Sequence, residues 1–237
     1  MLRLVEHYVS VQGEGPRVGT LTQFVRFAGC NMRCPLWPCD TQHAIDPSIW
    51  KDNSYKREGL ALASEITTIA SETGAYNICL TGGEPFMQQS MDLYDAIVPL
   101  AHPTRRYSFE VFTNGSFPFP IWSKEPLIEM LYTMDWKLGG SGEADHNRLT
   151  RSTNATAFLK STDGIKFVVT SEADMQEARN VAGSLRRGGF QGTFWIGAAW
   201  DKITNQEIID YLIKWKLNWK LNVQIHKHIW HPDKQGV

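Results

Sequence analysis

The chain has 237 residues, a length that corresponds to one large domain or two small ones at roughly 150 residues per domain. Its 24 basic and 25 acidic side chains give a net charge of -1, so charge gives no reason to expect a nucleic-acid-binding or membrane-surface protein. The composition, 42% hydrophobic and 21% charged, is typical of a globular protein and excludes disordered and fibrous folds.

The amino-terminal segment bears on where the protein works. Residues 1–7 include the acidic Glu6 and lack the apolar stretch of a signal peptide. The sequence also contains no run of the roughly 18 apolar residues that a membrane span needs. We therefore expect a cytoplasmic protein without a membrane partner. In that reducing compartment, closely spaced cysteines bind metal or carry out redox chemistry more often than they form disulfides.

Apolar runs rich in β-branched and aromatic residues predict a series of strands. They lie at 22–28, 77–80, 107–112, 132–136, 164–169, 193–196 and 222–226. Segments with helical spacing separate several of them, with apolar residues at Ile66 and Ala70, at Leu93 and Ile97, at Ala178 and Ala182, and at Ile208 and Leu212. Alternating strands and helices predict an α/β fold with a parallel sheet, because parallel neighbours need a long crossover connection.

The number of repeats limits the shape of the sheet. About six strand–helix repeats are too few for a complete eight-fold barrel, so we expect an incomplete βα barrel. Two polar stretches, at 41–59 and 139–154, interrupt the alternation and are interpreted as loop insertions. Without internal repeats or a low-complexity linker, residues 1–237 are interpreted as a single domain.

Three of the four cysteines follow the first predicted strand within one loop. Cys30, Cys34 and Cys39 can hold a soft metal, and three ligands to a four-iron cluster would leave one iron open for another molecule. The spacing is equally compatible with structural zinc, because His43 could complete a Cys3His site. The fourth cysteine, Cys79, lies inside an apolar strand and is interpreted as a small buried hydrophobic residue.

The second predicted strand leads into Thr81-Gly82-Gly83-Glu84-Pro85. Paired glycines let the backbone approach a ligand closely, and the Glu84 carboxylate can accept hydrogen bonds from an ammonium group. An ordinary strand-to-helix turn also favours glycine and proline, so this motif alone indicates little.

Together, the three-cysteine loop and the Gly-Gly-Glu-Pro turn resemble the radical S-adenosylmethionine (SAM) superfamily. Further segments are similar to the QueE family of 7-carboxy-7-deazaguanine synthases, in order along nearly the whole chain. They are residues 10–15 (SVQGEG), 25–31 (VRFAGCN), 39–41 (CDT), 135–138 (DWKL), 141–142 (SG) and 224–230 (QIHKHIW).

The resemblance implies a fold, cofactors and a reaction. The fold is the incomplete βα barrel of radical SAM enzymes, and the cofactors are SAM, Mg2+ and a 4Fe-4S cluster on Cys30, Cys34 and Cys39. The implied reaction contracts the ring of 6-carboxy-5,6,7,8-tetrahydropterin to give 7-carboxy-7-deazaguanine with loss of ammonia. The implied partners are this small pterin substrate, an electron donor such as a flavodoxin or ferredoxin, and a second copy in a homodimer, with no direct contact to nucleic acid.

The resemblance also implies roles for individual residues. SAM contacts fall on Gly82, Gly83, Glu84, Thr113, Lys137 and Pro38, with residues 198–200 closing over SAM. Substrate contacts fall on Gln12, Gly13, Glu14, Arg26, Thr81, His226 and Val237, and Thr41 matches the position that binds Mg2+.

The cysteine loop departs from the superfamily pattern. Two extra residues lie between Cys34 and Cys39, and Pro38 occupies the usual aromatic position, which puts the adenine contact in doubt unless Trp37 substitutes for it. Two site residues also have structural alternatives: Arg26 could point outward as a surface charge, and Lys137 could be a solvated loop charge.

Two other functions remain open at this stage. A glycyl-radical activating enzyme would share the cluster and the Gly-Gly-Glu-Pro turn, although residues 12–15 and the His226-Lys227 ending argue against it. A zinc-stabilised binding module without catalysis would need His43 as a fourth ligand.

Overall fold

The computed structural model describes residues 1–36, 39–101, 107–124, 128–231, 234 and 236. Within these residues the strands are β1 (Leu2–Val11), β2 (Leu21–Phe27), β3 (Lys56–Arg57), β4 (Asn77–Gly82), β5 (Ser108–Thr113), β6 (Met130–Asp135), β7 (Gly164–Val169), β8 (Thr193–Ala198) and β9 (Lys220–Leu221). The α-helices are α1 (Gly59–Thr73), α2 (Ser90–Ile97), α3 (Arg148–Thr153), α4 (Glu172–Arg187), α5 (Asn205–Lys214) and α6 (His226–Ile229).

The strands form one open sheet in the order β3-β1-β2-β4-β5-β6-β7-β8-β9. From β2 to β9 every neighbouring pair is parallel, whereas β1 pairs antiparallel with β2 and β3. This sheet confirms the predicted α/β class and the incomplete barrel. Parallel pairing extends over one strand more than the six expected, because the short β9 joins the edge of β8.

Alternation along the parallel strands separates two faces of the sheet. In β7, Ile165, Phe167 and Val169 are fully buried in the hydrophobic core, whereas Lys166 and Val168 face a cavity on the other side. The same alternation puts Val25 and Phe27 of β2 in the core and Phe24 and Arg26 toward the cavity. The helices cover the core face, so the opposite face is left to build a site.

The predicted helical segments are confirmed as α1, α2, α4 and α5. Each presents buried apolar residues at helical spacing, such as Leu62 and Ile66 in α1, and Ile208 and Leu212 in α5. Helix α5 begins with a capping box, in which Thr204 and Glu207 each accept a hydrogen bond from the other's backbone N–H.

Two strand expectations need correction. The ten-residue strand β1 was not predicted, because most of its side chains are only half-buried and its apolar run is interrupted by Arg3, Glu6 and His7. The strand predicted at 222–226 is wrong: pairing ends near Leu221, and His226 begins the short helix α6. The polar side chains of Gln224 and His226 line the cavity instead of extending the sheet.

The two predicted insertions contain little regular structure. Residues 41–59 form three short 3-10 turns and strand β3, and residues 139–154 contain a further 3-10 turn and α3. Among the described residues, no helix combines the length and the apolar character that crossing a membrane would require.

Candidate functional site

A cavity of about 800 Å³ opens at the carboxyl ends of the parallel strands, the edge where α/β sheets commonly bind ligands. It collects nearly all of the described residues that the sequence assigned to a site. These lining residues are Gln12, Gly13, Glu14, Arg26, Cys30, Cys34, Cys39, Thr41, Thr81, Gly82, Gly83, Thr113, Lys137 and His226. Pro38 and Val237 lie outside the described residues.

The cysteine loop begins directly after β2 and carries three free thiols into the cavity. Gly29 and Cys34 adopt positive φ angles of 85° and 45°, which turn the loop back over the sheet. Burial raises the pKa of the Cys30 thiol to about 11, so metal binding must supply the free energy that removes its proton.

The donor set of the loop consists of three thiols that line one cavity, which fits an iron–sulfur cluster. His43 Nε2 lies 3.1 Å from Glu6 Oε1, so its ring is engaged by a carboxylate. Three thiolates spread along one loop suit a cluster, whose iron atoms each take a separate ligand.

The Gly82-Gly83 pair lets the end of β4 touch the end of β2. A Cβ atom on Gly82 would lie 2.1 Å from the carbonyl oxygen of Phe27, and one on Gly83 would lie 2.0 Å from that of Gly29. Gly82 also has a φ angle of 137°, which L side chains rarely adopt. Both glycines therefore hold the cysteine loop against the sheet while lining the cavity.

Glu84 lies fully buried beneath the cavity and does not line it. Its carboxylate accepts hydrogen bonds from the Thr113 hydroxyl at 2.7 Å, from the Asn114 amide at 2.7 Å and from the Phe86 amide at 3.0 Å. Burial raises its pKa to about 7 despite these donors. Through these hydrogen bonds Glu84 links the turn after β4 to the end of β5. The contact of Glu84 with SAM stays a prediction.

Four charged side chains form a row across the cavity. Lys137 Nζ lies 2.9 Å from Asp135 Oδ2, and the same oxygen lies 3.6 Å from Lys166 Nζ. Lys166 Nζ in turn lies 3.0 Å from Glu14 Oε2. Burial alone would raise the pKa of Glu14, but Lys166 and His226 offset it and the pKa is lowered. We refer to Lys137, Asp135, Lys166 and Glu14 as the charged row.

The Lys137 side chain is only 14% exposed and pairs with Asp135, so Lys137 is not a solvated loop charge. Its backbone is fixed as well, because the fully buried Arg151 donates from Nη1 to the Lys137 carbonyl oxygen at 3.1 Å. Arg151 belongs to α3, so the 139–154 insertion supports the position of Lys137.

The amino-terminal loop and the carboxyl-terminal segment meet at one side of the cavity. A Cβ atom on Gly13 would lie 2.1 Å from Nδ1 of His226, and the Ile225 amide donates to the Gly13 carbonyl oxygen at 3.2 Å. Gln12 is anchored beneath, where its Nε2 donates to Glu110 Oε2 at 2.7 Å. Residues separated by more than two hundred positions thus build one wall.

Arg26 points into the cavity, which excludes the surface alternative. Its Nη2 donates to the Tyr8 hydroxyl at 3.2 Å, and its Nε pairs with the Glu6 carboxylate. Thr81 and Cys79 lie two positions apart along β4, and both line the same cavity as Arg26. Cys79 is almost fully buried, and burial raises the pKa of its thiol well above the ordinary value.

Thr41 lies between the cysteine loop and the glycine pair. Its Oγ1 donates to the Gly82 carbonyl oxygen at 3.3 Å and is 3.5 Å from Cys39 Sγ. The hydroxyl oxygen suits Mg2+, which prefers oxygen ligands, and this role stays a prediction. The cavity is also lined by Ala198, Ala199 and Trp200, at the end of β8. In the sheet order, β8 lies five positions from β2, the strand that precedes the cysteine loop.

Several residues of the site were missed by sequence reasoning. Lys166 had a visible signal, since a lysine stands alone in the apolar strand Gly-Ile-Lys-Phe-Val-Val. Asp40 belongs to the family-like segment 39–41, which was a visible signal in the sequence. The structure places its Oδ1 3.7 Å from Lys227 Nζ. Glu6 gave none, because its role depends on β1 lying beside β2.

A three-thiol loop at the carboxyl edge of an open parallel βα sheet defines the class as a radical SAM enzyme on a partial barrel. Residues 11–156 match the family described as "4Fe-4S single cluster domain". The 7-carboxy-7-deazaguanine synthase of Clostridium acetobutylicum is 35% identical over 99% of both chains. That of Leptospira interrogans is 31% identical over 98% of this chain and 96% of its own.

The fold is also similar to that of a solved structure. The crystal structure of QueE from Escherichia coli superposes with a TM-score of 0.67 at 21% identity, covering 94% of this chain and 93% of that one. The chain belongs to the 7-carboxy-7-deazaguanine synthase family.

Proposed function

We propose that this chain converts 6-carboxy-5,6,7,8-tetrahydropterin into 7-carboxy-7-deazaguanine, with contraction of the ring and loss of ammonia. The observation that carries the proposal is that residues of the candidate site share one cavity. It joins the three-thiol loop to Gln12, Glu14 and Arg26, which come from sequence segments similar to this family.

The cysteine end of the cavity serves the cofactors. Cys30, Cys34 and Cys39 hold the 4Fe-4S cluster, and the Gly82-Gly83 backbone with Lys137 and Thr113 holds SAM. When bound, the reduced cluster and SAM supply the carbon radical that removes a hydrogen atom from the substrate. The protein contributes orientation and a wall that keeps water and stray hydrogen donors away.

Other residues that line the same cavity serve the substrate. Arg26 offers a guanidinium to the substrate carboxylate, and Glu14 offers a carboxylate to ring N–H groups. Gln12 and Thr81 add neutral hydrogen-bonding groups, and His226 closes the wall against Gly13. Thr41 places a hydroxyl for Mg2+ beside the cysteine loop. Glu84, Pro38 and Val237 complete the proposed set of contacts.

The proposal extends to the setting of the enzyme. We place it in the cytoplasm as a homodimer that receives electrons from a flavodoxin or ferredoxin, and that contacts neither nucleic acid nor membrane. The near-neutral net charge of -1 agrees with a partner that is recognised locally.

An anaerobic assay tests the reaction. Protein reconstituted with iron and sulfide, then given SAM, reductant, Mg2+ and the carboxytetrahydropterin, should release 7-carboxy-7-deazaguanine, identified by mass and ultraviolet absorption. Cleavage of SAM without that product would assign the chain to another radical reaction. A requirement for a protein substrate would favour a glycyl-radical activating enzyme.

The cysteines supply a matched test of the cluster. Cys30→Ala should lose most of the iron, expected at about four atoms per chain in the wild type. Cys79→Ala should keep it, because Cys79 lines the same cavity from within β4 and is not part of the cysteine loop. His43→Ala should also keep iron, whereas a Cys3His zinc site would lose its metal with that change.

A further inference from the structure

Lys166 is a buried lysine for which the assigned cofactor and substrate contacts give no role. Its side chain is only 10% exposed, and it extends from the cavity face of β7. Nζ lies 3.0 Å from Glu14 Oε2, 3.6 Å from Asp135 Oδ2 and 5.8 Å from the centre of the Phe112 ring. A charge buried this far needs close partners, and both carboxylates supply them.

Lys166 is the member that connects the two halves of the charged row. Toward the cofactor end it contacts Asp135, which also contacts Lys137. Toward the substrate end it contacts Glu14. The other Asp135 oxygen, Oδ1, is buried without a hydrogen-bond partner among the described residues, so the two lysines are the polar contacts that orient this carboxylate.

The charges of the charged row sum to zero, because it contains two lysines and two carboxylates. Removing Lys166 would leave two largely buried carboxylates, Glu14 and Asp135. Lys137 would still pair with Asp135, but Glu14 would keep only the weaker influence of His226 and Gln224. Glu14 would then lose the strong partner that fixes its Oε2 oxygen. Its carboxylate could turn away from the cavity or take up a proton, and either change would remove an acceptor for substrate N–H groups.

We propose that Lys166 is a positioning residue, which holds the Glu14 carboxylate toward the substrate and ties it through Asp135 to Lys137 at the cofactor end. The ligand class that this arrangement selects is a planar ring with adjacent N–H donors, because an ionised carboxylate only accepts hydrogen bonds. This inference rests on the proposed function, since Glu14 is taken as a substrate contact.

Binding measured without turnover tests the inference. Holoenzyme with SAM and no reductant is titrated calorimetrically with 6-carboxytetrahydropterin, and iron content and the melting temperature are recorded for each variant. Lys166→Met should raise the Kd at least about tenfold, because it removes a charged partner from a buried pair, while iron is retained. With reductant added, KM should rise more than kcat falls.

A double-mutant cycle distinguishes positioning from direct contact. In a Glu14→Gln background, Lys166→Met should change the Kd by less than about twofold, because the contact that it supports is already gone. Lys214→Met is the matched control: it removes a lysine from a solvent-exposed pair with Glu172 and should leave the Kd unchanged. An equal effect of Lys166→Met in both backgrounds, or none in either, overturns the inference.

A second variant keeps the test decisive if Lys166→Met does not fold. Lys166→Gln also removes the charge but keeps a polar side chain of similar length, and it takes the place of Lys166→Met in the same cycle with the same two readings. Failure of the proposed function is separate and visible in the wild type, which would neither bind the carboxytetrahydropterin nor convert it.

Discussion

Gly13 and His226 show how tightly the two chain ends meet at the proposed substrate wall. A methyl group on Gly13 would fall 2.1 Å from the imidazole Nδ1, so the ring has to move. His226 is half-buried at the start of a short helix, and the added methyl group would meet its side chain and not backbone, which keeps the cost to the fold small. Position 13 therefore tests the placement of His226 without removing its side chain.

Gly13→Ala should raise the KM for the carboxytetrahydropterin several-fold and lower the free energy of unfolding by less than about 1 kcal/mol. Steady-state kinetics and thermal unfolding measure the two effects. Gly183→Ala in α4 is the control, because its Cβ would meet nothing closer than 3.5 Å. It should stabilise the helix slightly and leave KM unchanged. An unchanged KM in Gly13→Ala would show that His226 does not support substrate binding.

Glu84 makes stability depend on pH. Its pKa is about 7 in the folded protein because burial disfavours the charged form, compared with 4.5 for the free side chain. Below about pH 4.5 the carboxyl is neutral in both states, and as pH rises toward 7 the unfolded chain ionises first. The favourable contribution of Glu84 is therefore fully present at low pH and lost as pH rises through about 7.

Denaturant unfolding of the metal-free protein between pH 5 and 8 should reveal this loss when compared with Glu84→Gln, whose side chain does not titrate. The difference in unfolding free energy should fall by up to about 3 kcal/mol as pH rises, and then level off. A difference that grows with pH would mean that the three hydrogen-bond donors keep Glu84 ionised at low pH.

At the scale of elements, the cysteine loop is joined to α6 through Asp40. Lys227 Nζ lies 3.7 Å from Asp40 Oδ1, and Gln224 Nε2 donates to Oδ2 at 3.4 Å. Lys227 is only 8% exposed, whereas Asp40 is 62% exposed, so solvent screens the pair and its contribution to stability is small. Its effect is to hold α6, and with it His226, over the cavity.

Asp40→Asn should raise the substrate KM about two- to fivefold, with less than about 1 kcal/mol lost from the unfolding free energy. Kinetics at low and high salt measure the change, and the wild type should approach the variant as salt screens the pair. Glu172→Gln, which weakens the exposed pair with Lys214, serves as the control. Loss of iron in Asp40→Asn would instead assign Asp40 to the support of the cluster loop.

The elements that sequence predicts well are those that bury one face completely. Strands β4, β5 and β7 are rich in buried apolar residues, with Glu110 in β5 and Lys166 in β7 as single charged exceptions, because the helices cover one side of the sheet and the cavity lies on the other. Strand β1 is not predicted because its half-buried side chains follow from antiparallel pairing with β2 and the short edge strand β3, which is a tertiary property.

The site follows the same division. Motif residues such as Cys30 and Glu14 are recognised by their spacing within short loops. The partners of those residues come from distant strands, as Lys166 does for Glu14 and Glu6 for Arg26. Glu84 illustrates the limit: sequence indicates a carboxylate after the glycine pair but not that it is fully buried beneath the cavity.

At the scale of the whole molecule, the hydrophobic core and the cluster loop are separate. The core is built from the sheet and the helices, and among the described residues none between positions 28 and 57 belongs to it. The loop is held by its own buried apolar residues, such as Met32, and by backbone hydrogen bonds from Gly29 to Ala44 and from Glu84 to Gly29. The fold should therefore not depend on the cluster, unlike small domains that fold only around a metal.

Removing the cluster with a chelator under anaerobic conditions should leave the far-ultraviolet circular dichroism nearly unchanged and the unfolding transition cooperative. The melting temperature should fall, because a group that binds only the folded state stabilises it. The variant in which Cys30, Cys34 and Cys39 are all replaced by Ala should melt close to the chelated wild type. If chelation abolishes the cooperative transition, the cysteine loop is part of the folding unit, and the sheet and its helices are not sufficient to hold the cavity in place.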